Sequence, residues 1–220
     1  MRLYNYLKNR LNISKSEVKK LFFDNKVLLN DKIAKPLNII NRNDVLIVNN
    51  KIIEYKEETF HYYAYNKEVG VECTNQNKEC SVLNKINLPF RVFCVGRLDK
   101  DSRGLIILTN DQKFPSTVLS KDNHIEKEYV VKVDKKIDEN FINNMSSGVK
   151  ILDTITKPCK VYMISDFVFG IILIQGLNRQ IRRMANVLGY KVIDLKRIRF
   201  GRLKLDIKEN ELKEISLKDI

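Results

Sequence analysis

The chain has 220 residues, with 40 Lys and Arg against 27 Asp and Glu, a net charge of +13. Its 44% hydrophobic and 9% aromatic content excludes a disordered polyelectrolyte, and its length holds one medium domain and a small one. The longest apolar run, residues 167–174, suits a buried strand and is too short to span a bilayer, so no membrane partner is expected.

The charge is unevenly placed. Residues 1–53 hold 11 Lys and Arg against 4 Asp and Glu, a balance of +7, and residues 176–204 hold 9 against 1, a balance of +8. Two basic patches on a near-neutral body suit a protein that grips phosphates at two places. Cys73, Cys80, Cys94 and Cys159 form no C-x-x-C pair, and His61 and His124 are the only histidines, so no zinc pattern emerges and no metal is expected. Free thiols imply a reducing compartment. The start, Met-Arg-Leu-Tyr-Asn-Tyr, lacks the apolar core of a signal peptide, and a cytoplasmic protein is expected.

In chain order, Leu3, Tyr6, Leu7, Arg10 and Leu11 fit a helical period. Ser14 and Glu17 have capping-box spacing, and the helix they open places Val18, Leu21 and Phe22 on one face, away from Lys15 and Lys19. Residues 26–34 read as strand, Asn-Asp turn and strand; residues 45–48 and 51–53 read as a second hairpin about Asn49-Asn50. Residues 54–59 are polar and acidic and read as a linker between a module of residues 1–53 and a domain of residues 60–220.

The larger domain opens with a strand, Tyr62 to Lys67, and a turn to Gly70. Residues 74–90 are polar and irregular, with a short helical candidate at 82–86. A charged loop, Gly96-Arg97-Leu98-Asp99-Lys100-Asp101-Ser102-Arg103-Gly104, precedes a buried strand at 105–108. Asp99 and Asp101 lie among Arg97, Lys100 and Arg103, and a carboxylate held among cations stays ionised and can serve as nucleophile or base. A short helix to Leu119 follows, then a strand in which Tyr129, Val131 and Val133 share a face. Residues 138–147 read as a helix ended by Gly148. Strands are predicted at 159–164 and 167–175, the second apolar enough to be central. Asn178 is placed to cap a helix that Gly189 ends, with Ile181, Met184, Ala185 and Leu188 on one stripe and Arg179, Arg182, Arg183 and Asn186 on the other. Residues 192–201 read as a basic closing strand.

The pattern gives an α+β fold: a small module, then a larger domain with a mixed, mainly antiparallel sheet flanked by helices. Two resemblances add to it. The G-R-L-D core, the D-S pair and the G-L strand ending in T-N, with E-K-x-Y at 126–129 and N-R-Q-I-R-R-M at 178–184, resemble the signature of pseudouridine synthases that modify ribosomal RNA. The group is that of RsuA, RluB, RluE and RluF, and the stretches 96–133 and 175–179 look most like its RluF type, which acts on the large subunit. Two positions depart from the family: Glu68 stands where a proline is usual, which loosens the turn, and Gln112 where glycine is common. In the first module, R-L-x-x-Y-L, S-K-S-E-V-K-K-L and V-L-L-N-D-K resemble the S-four-type RNA-binding domain.

The resemblance implies that Asp99 is the catalytic aspartate, that Tyr129 stacks on the target base and that Arg182 pairs with Asp99. It places Lys15, Lys19, Lys20 and Lys26 of the first module on RNA, along with Arg97, Arg179 and Arg183. It implies an RNA substrate, a structured stem-loop of large-subunit ribosomal RNA, with no cofactor and a monomeric enzyme. The target uridine must be flipped out of the stack before its glycosidic bond is reached. Attack of Asp99 on the anomeric carbon, attack on the 6-position of the ring and removal of a sugar proton all fit the pattern. Two other readings compete: a non-catalytic RNA-binding ribosome-assembly factor, which has no need of Asp99, Tyr129 and Arg182 together, and a glycosidase-like hydrolase. The hydrolase requires two carboxylates at the bond, and its second candidate, Asp101, is expected to face solvent or the loop backbone.

Overall fold

Leu3, Tyr6 and Leu7 are buried along α1 (Leu3–Arg10), and α2 (Lys15–Phe23) buries Val18 and Phe22. Ser14 and Glu17 form the reciprocal cap that their spacing requires, satisfying two backbone N–H groups at the start of α2. These features belong to a computed structural model that describes residues 1–57, 59–74, 80–120 and 123–220. Position 58 of the expected linker and positions 75–79 of the irregular stretch lie outside the described residues.

The chain divides into one unit of Met1–Phe60 with Leu88–Arg91 and another of His61–Asn87 with Val92–Ile220. In the first, α1 and α2 share a core with an antiparallel sheet of β1 (Val27–Leu29), β2 (Lys32–Ile33), β3 (Leu46–Val48) and β4 (Lys51–Ile53), in the order β2-β1-β3-β4. Both hairpins turn on residue pairs in the left-handed region, Asn30-Asp31 (φ 51° and 60°) and Asn49-Asn50 (φ 49° and 62°). Such turns match the twist of the strands they join, and Asn and Asp tolerate them best after glycine.

The second unit is built on one large sheet. Its strands in chain order are β5 (Tyr62–Lys67), β6 (Phe93–Val95), β7 (Arg103–Thr109), β8 (Lys127–Val133), β11 (Lys160–Ser165), β12 (Val168–Leu173), β13 (Val192–Phe200), β14 (Leu203–Lys204) and β15 (Leu212–Ile215), with β9 (Lys150–Ile151) and β10 (Thr154–Ile155) forming a separate hairpin. The order is β11-β12-β8-β13-β7-β5-β15, with β14 on β13 and β6 on β7. Its helices are α3 (Val82–Lys85), α4 (Phe114–Val118), α5 (Glu139–Ser147) and α6 (Gln180–Val187). Phe141 and Met145 of α5 and Ile181, Met184 and Ala185 of α6 pack with Val131, Phe169, Ile171 and Leu195 of the sheet. Among the described residues no helix is long and apolar enough to cross a membrane.

Two placements differ from expectation. β12 is paired on both sides but lies next to the edge, because the amphipathic β11 covers it. β13 stands in the middle of the sheet between β8 and β7, and β15 is the last strand of the chain. β13 pairs parallel with β7, Lys196 opposite Arg103 and Arg197 opposite Gly104, whereas the other ladders of this sheet are antiparallel. That pairing sets the start of β7, and the loop before it, against the centre of the sheet. Gly104 permits it: its φ is +104°, and a Cβ there would overlap the Arg197 carbonyl oxygen. Gly104→Ala is expected to lower stability by about 3 kcal/mol, read as a melting temperature several degrees below wild type. An unchanged melt would show that this strand spacing is not tight.

Candidate active site

The loop of residues 96–102 turns sharply at Asp99, whose carbonyl accepts from Ser102 N at 3.0 Å. The turn leaves the Asp99 side chain about one-third exposed (35%), Arg97 outward and Leu98 buried. Neighbouring elements hold the loop from two sides.

On one side, Leu98 N donates to the Cys73 Sγ at 3.4 Å and Gly70 N donates to Lys100 O at 2.8 Å. The 68–71 turn that supplies Gly70 is itself organised by Lys67, a fully buried lysine that the sequence reading passed over. Its Nζ donates to the carbonyls of Glu68 (2.8 Å) and Val71 (2.7 Å), and burial lowers its pKa. The turn was expected to be loose for want of a proline. Instead Lys67 binds its carbonyls, and the Glu68 carboxylate accepts from Asn210 at 2.6 Å and pairs with Lys85 at 3.1 Å. The Cys73 and Cys94 thiols are neighbours. Cys94, the Leu98 N–H and the charges of Lys67 and Arg197 draw the Cys73 thiol below its ordinary value.

On the other side stands α6. The expected Asn178 cap is absent: the residue before the helix is Arg179, left-handed at φ +49°, and Asn178 accepts through O and Oδ1 from the Arg183 guanidinium at 3.0 and 3.1 Å. Gln180 turns back so that its Oε1 takes Leu177 N at 3.0 Å. The apolar stripe does form, with Ile181, Met184 and Ala185 buried.

The expected pairing of Arg182 with Asp99 is corrected. Arg182 grips the loop at Asp101 and Ser102: its Nη2 donates to Asp101 O at 2.7 Å and Ser102 Oγ at 3.3 Å, its Nε lies 3.4 Å from Asp101 Oδ2, and its Nη1 donates to Val192 O at 3.2 Å. The cation facing Asp99 is Arg179, Nη1 to Oδ2 at 3.7 Å. Arg179 also forks onto both oxygens of Asp101, at 2.9 and 2.7 Å, and the Asp101 side chain keeps the solvent exposure expected of it. The left-handed turn at Arg179 swings this side chain towards the loop, while Asp101, Ser102 and the Val192 carbonyl occupy Arg182. A second fork, Arg103 on Asp194 at 2.9 and 2.7 Å, ties the loop's far end to β13. The Arg179 and Arg103 hydrogen bonds hold the carboxyls of Asp101 and Asp194 below their ordinary 3.8. A lowered carboxylate pKa favours the folded form above the ordinary value, and the benefit fades as pH falls through the lowered one. These two straps therefore stay intact at pH 5.

Tyr129 sits on β8 between Ile171 of β12 and Arg197 of β13. It lines a cavity of about 270 Å³ together with Arg97, Asp99 and Arg179. The structure thus brings Asp99, Tyr129, Arg97 and Arg179 together, keeps Arg182 behind the loop, and turns Arg183 onto Asn178. In the first unit Lys15, Lys19, Lys20 and Lys26 are all exposed. Lys20 and Lys26 share a hollow with Glu17 and Asp24, and Lys15 and Lys19 stand outside it. Among the described residues no group of three or more His, Cys, Asp or Glu could hold a metal ion.

The family described as RNA pseudouridylate synthase matches residues 61–186, a span that takes in the loop, β8 and most of α6. The chain belongs to the RNA pseudouridine synthase family. It is 44% identical over 207 residues to the dual-specificity RNA pseudouridine synthase RluF of Escherichia coli K12, covering 93% of this chain and 71% of that one. It is 26% identical over 228 residues to ribosomal small subunit pseudouridine synthase A of Haemophilus influenzae, covering 100% and 98%. A crystal structure of a pseudouridylate synthase aligns with a TM-score of 0.71 at 25% identity, covering 100% of this chain and 97% of that one.

Proposed function

We propose that the cavity shared by Asp99 and Tyr129 isomerises uridine to pseudouridine in ribosomal RNA, with large-subunit RNA as the substrate. The observation that carries this is a loop carboxylate and an aromatic side chain lining one cavity, in a chain of this family. The greater identity to RluF than to the small-subunit synthase supports the RluF-like reading. Four free cysteines support a cytoplasmic setting. The exposed lysines and helix–helix–hairpin order of the first unit support its reading as an S-four-type RNA-binding domain.

In the reaction the N1–C1′ bond breaks, the uracil turns, and C5 bonds to C1′. The C5 proton leaves to solvent and N1 regains a proton, so there is no net redox change. Asp99 is the reacting carboxylate, and Arg179 at 3.7 Å is its cation. Tyr129 is the platform for the extruded base, where stacking offsets part of the roughly few kcal/mol that flipping costs. The hydrolase reading loses its second carboxylate, because both Asp101 oxygens are engaged by Arg179. Tyr129→Ala is expected to lower kcat/KM by about 10- to 100-fold, and Tyr129→Phe to stay near wild type. An equal loss in the Phe variant would assign the work to the hydroxyl instead. Chemical mapping of pseudouridine in both ribosomal RNAs, from cells with and without the protein, tests the substrate. A site lost from the large subunit is expected; a site lost only from the small subunit would overturn that part.

A further inference from the structure

A second chamber of about 490 Å³ adjoins the Asp99 cavity and shares Arg97, Tyr129 and residues 175–177 with it. Among the described residues its lining includes Arg97, Lys127, Lys157 and Arg197 and no carboxylate. Arg197 is 2% exposed. Its Nε donates to Leu105 O at 2.6 Å, but its buried Nη2 has no hydrogen-bond partner, and among the described residues no carboxylate pairs with it. Among the described residues its charge reaches the thiols of Cys73 and Cys94, which Lys67 also reaches. Lys127 lies beside it, its Nζ bonded to Ile125 O at 3.1 Å and 5.6 Å from the Phe200 ring centroid. Burial, and then the charge of Arg197, depress the Lys127 ammonium.

A guanidinium does not shed its proton in a protein, and a buried charge without a carboxylate beside it is costly. Two such cations side by side are tolerated best where an anion joins them. Neither a base nor a sugar hydroxyl supplies that charge. A phosphodiester does: it brings one negative charge and two free oxygens for the two donors. A nucleotide whose base lies on Tyr129 has a backbone phosphate one sugar away, and Tyr129 is in the wall common to both chambers.

We infer that this chamber seats the backbone phosphodiester next to the extruded uridine, held by Lys127 and Arg197. The inference rests on the proposed function, and its test is read by binding so that the two fail separately. Full-length ribosomal RNA transcripts are titrated against KCl with wild type, Lys127→Gln, Lys127→Met and, as a control outside the chamber, Lys136→Gln. Both Lys127 variants are expected to bind about tenfold more weakly and to lose about one unit from the slope of log Kd against log salt, with Lys136→Gln unchanged. In turnover, KM is expected to rise by a similar factor with kcat within about threefold, a split that a misfolded centre does not produce. Folded Lys127 variants with the wild-type slope would overturn the inference. If neither variant folds, ethylation interference on the wild-type complex decides: a block at a phosphate beside the modified uridine is expected, and no block there overturns it. Wild type that binds RNA but forms no pseudouridine would refute the proposed function, while the slopes still decide the phosphate site.

Discussion

Asp99→Asn is expected to lower pseudouridine formation by at least about 10⁴-fold while RNA affinity does not fall. The substitution keeps the shape of the side chain and removes what each conceivable route requires, an anionic oxygen that can bond to carbon or take a proton. The loop should keep its form, because its straps run through other atoms. Asp99 contributes its carbonyl to the turn, Leu98 and Lys100 are held through their backbone, and the hydrogen-bonded ion pairs belong to Asp101 and Asp194, the Arg179–Asp99 contact being longer at 3.7 Å. Removing a negative charge from a basic cleft does not weaken its hold on phosphates. A binder that had merely kept the fold would show no difference between the two proteins in any assay of product. Single-turnover formation of pseudouridine by the Asn variant at more than about one-hundredth of the wild-type rate would assign the chemistry elsewhere.

Arg182→Ala carries the second large effect, through position and not through contact with the reacting carboxylate. One guanidinium satisfies Asp101 O, Ser102 Oγ and Val192 O, joining the loop to α6 and to the start of β13. Its side chain is only 12% exposed, so alanine leaves those acceptors poorly hydrated. A loss of about 3 kcal/mol in stability and a fall of about 100-fold in kcat are expected, the latter because a displacement near 1 Å at a reacting group costs roughly that much. Lysine should not rescue it, since a single ammonium does not reproduce the fork. Arg183→Ala is the contrast: among the described residues its guanidinium closes on Asn178, and kcat should stay within about twofold. A melting curve and a steady-state assay on the three variants separate the cases. Wild-type kcat in a folded Arg182→Ala would show that α6 does not set the loop.

What the sequence makes legible is what neighbours along the chain decide. The Ser14–Glu17 cap, the Asn-Asp and Asn-Asn turns and the buried stripe of α6 depend on spacings of two to four residues, and each forms as read. The loop with Asp99, and the strand bearing Tyr129, were visible for the same reason. Pairings that depend on which segments meet were not visible. Nothing local says that β13 lies parallel to β7, and that ladder moves the last basic strand to the middle of the sheet. Arg179 and Arg182 look interchangeable on a helical stripe; a single left-handed residue turns one to Asp99 and Asp101 and leaves the other to Asp101, Ser102 and Val192. Lys67 is one charged residue at the end of an apolar strand, and only the covering of that strand on both sides makes it a buried anchor. β15 has two apolar residues, Leu212 and Ile215, too few to show a period, and is drawn in by the open edge of β5.

The most direct measurement uses ribosomal RNA transcripts labelled with tritium at the 5-position of uridine. With wild-type protein, tritium is expected to pass to water in a one-to-one ratio with pseudouridine formed and with no free uracil, and with Asp99→Asn none is expected beyond background. Free uracil in place of pseudouridine, or release that survives in the Asn variant, would contradict the account.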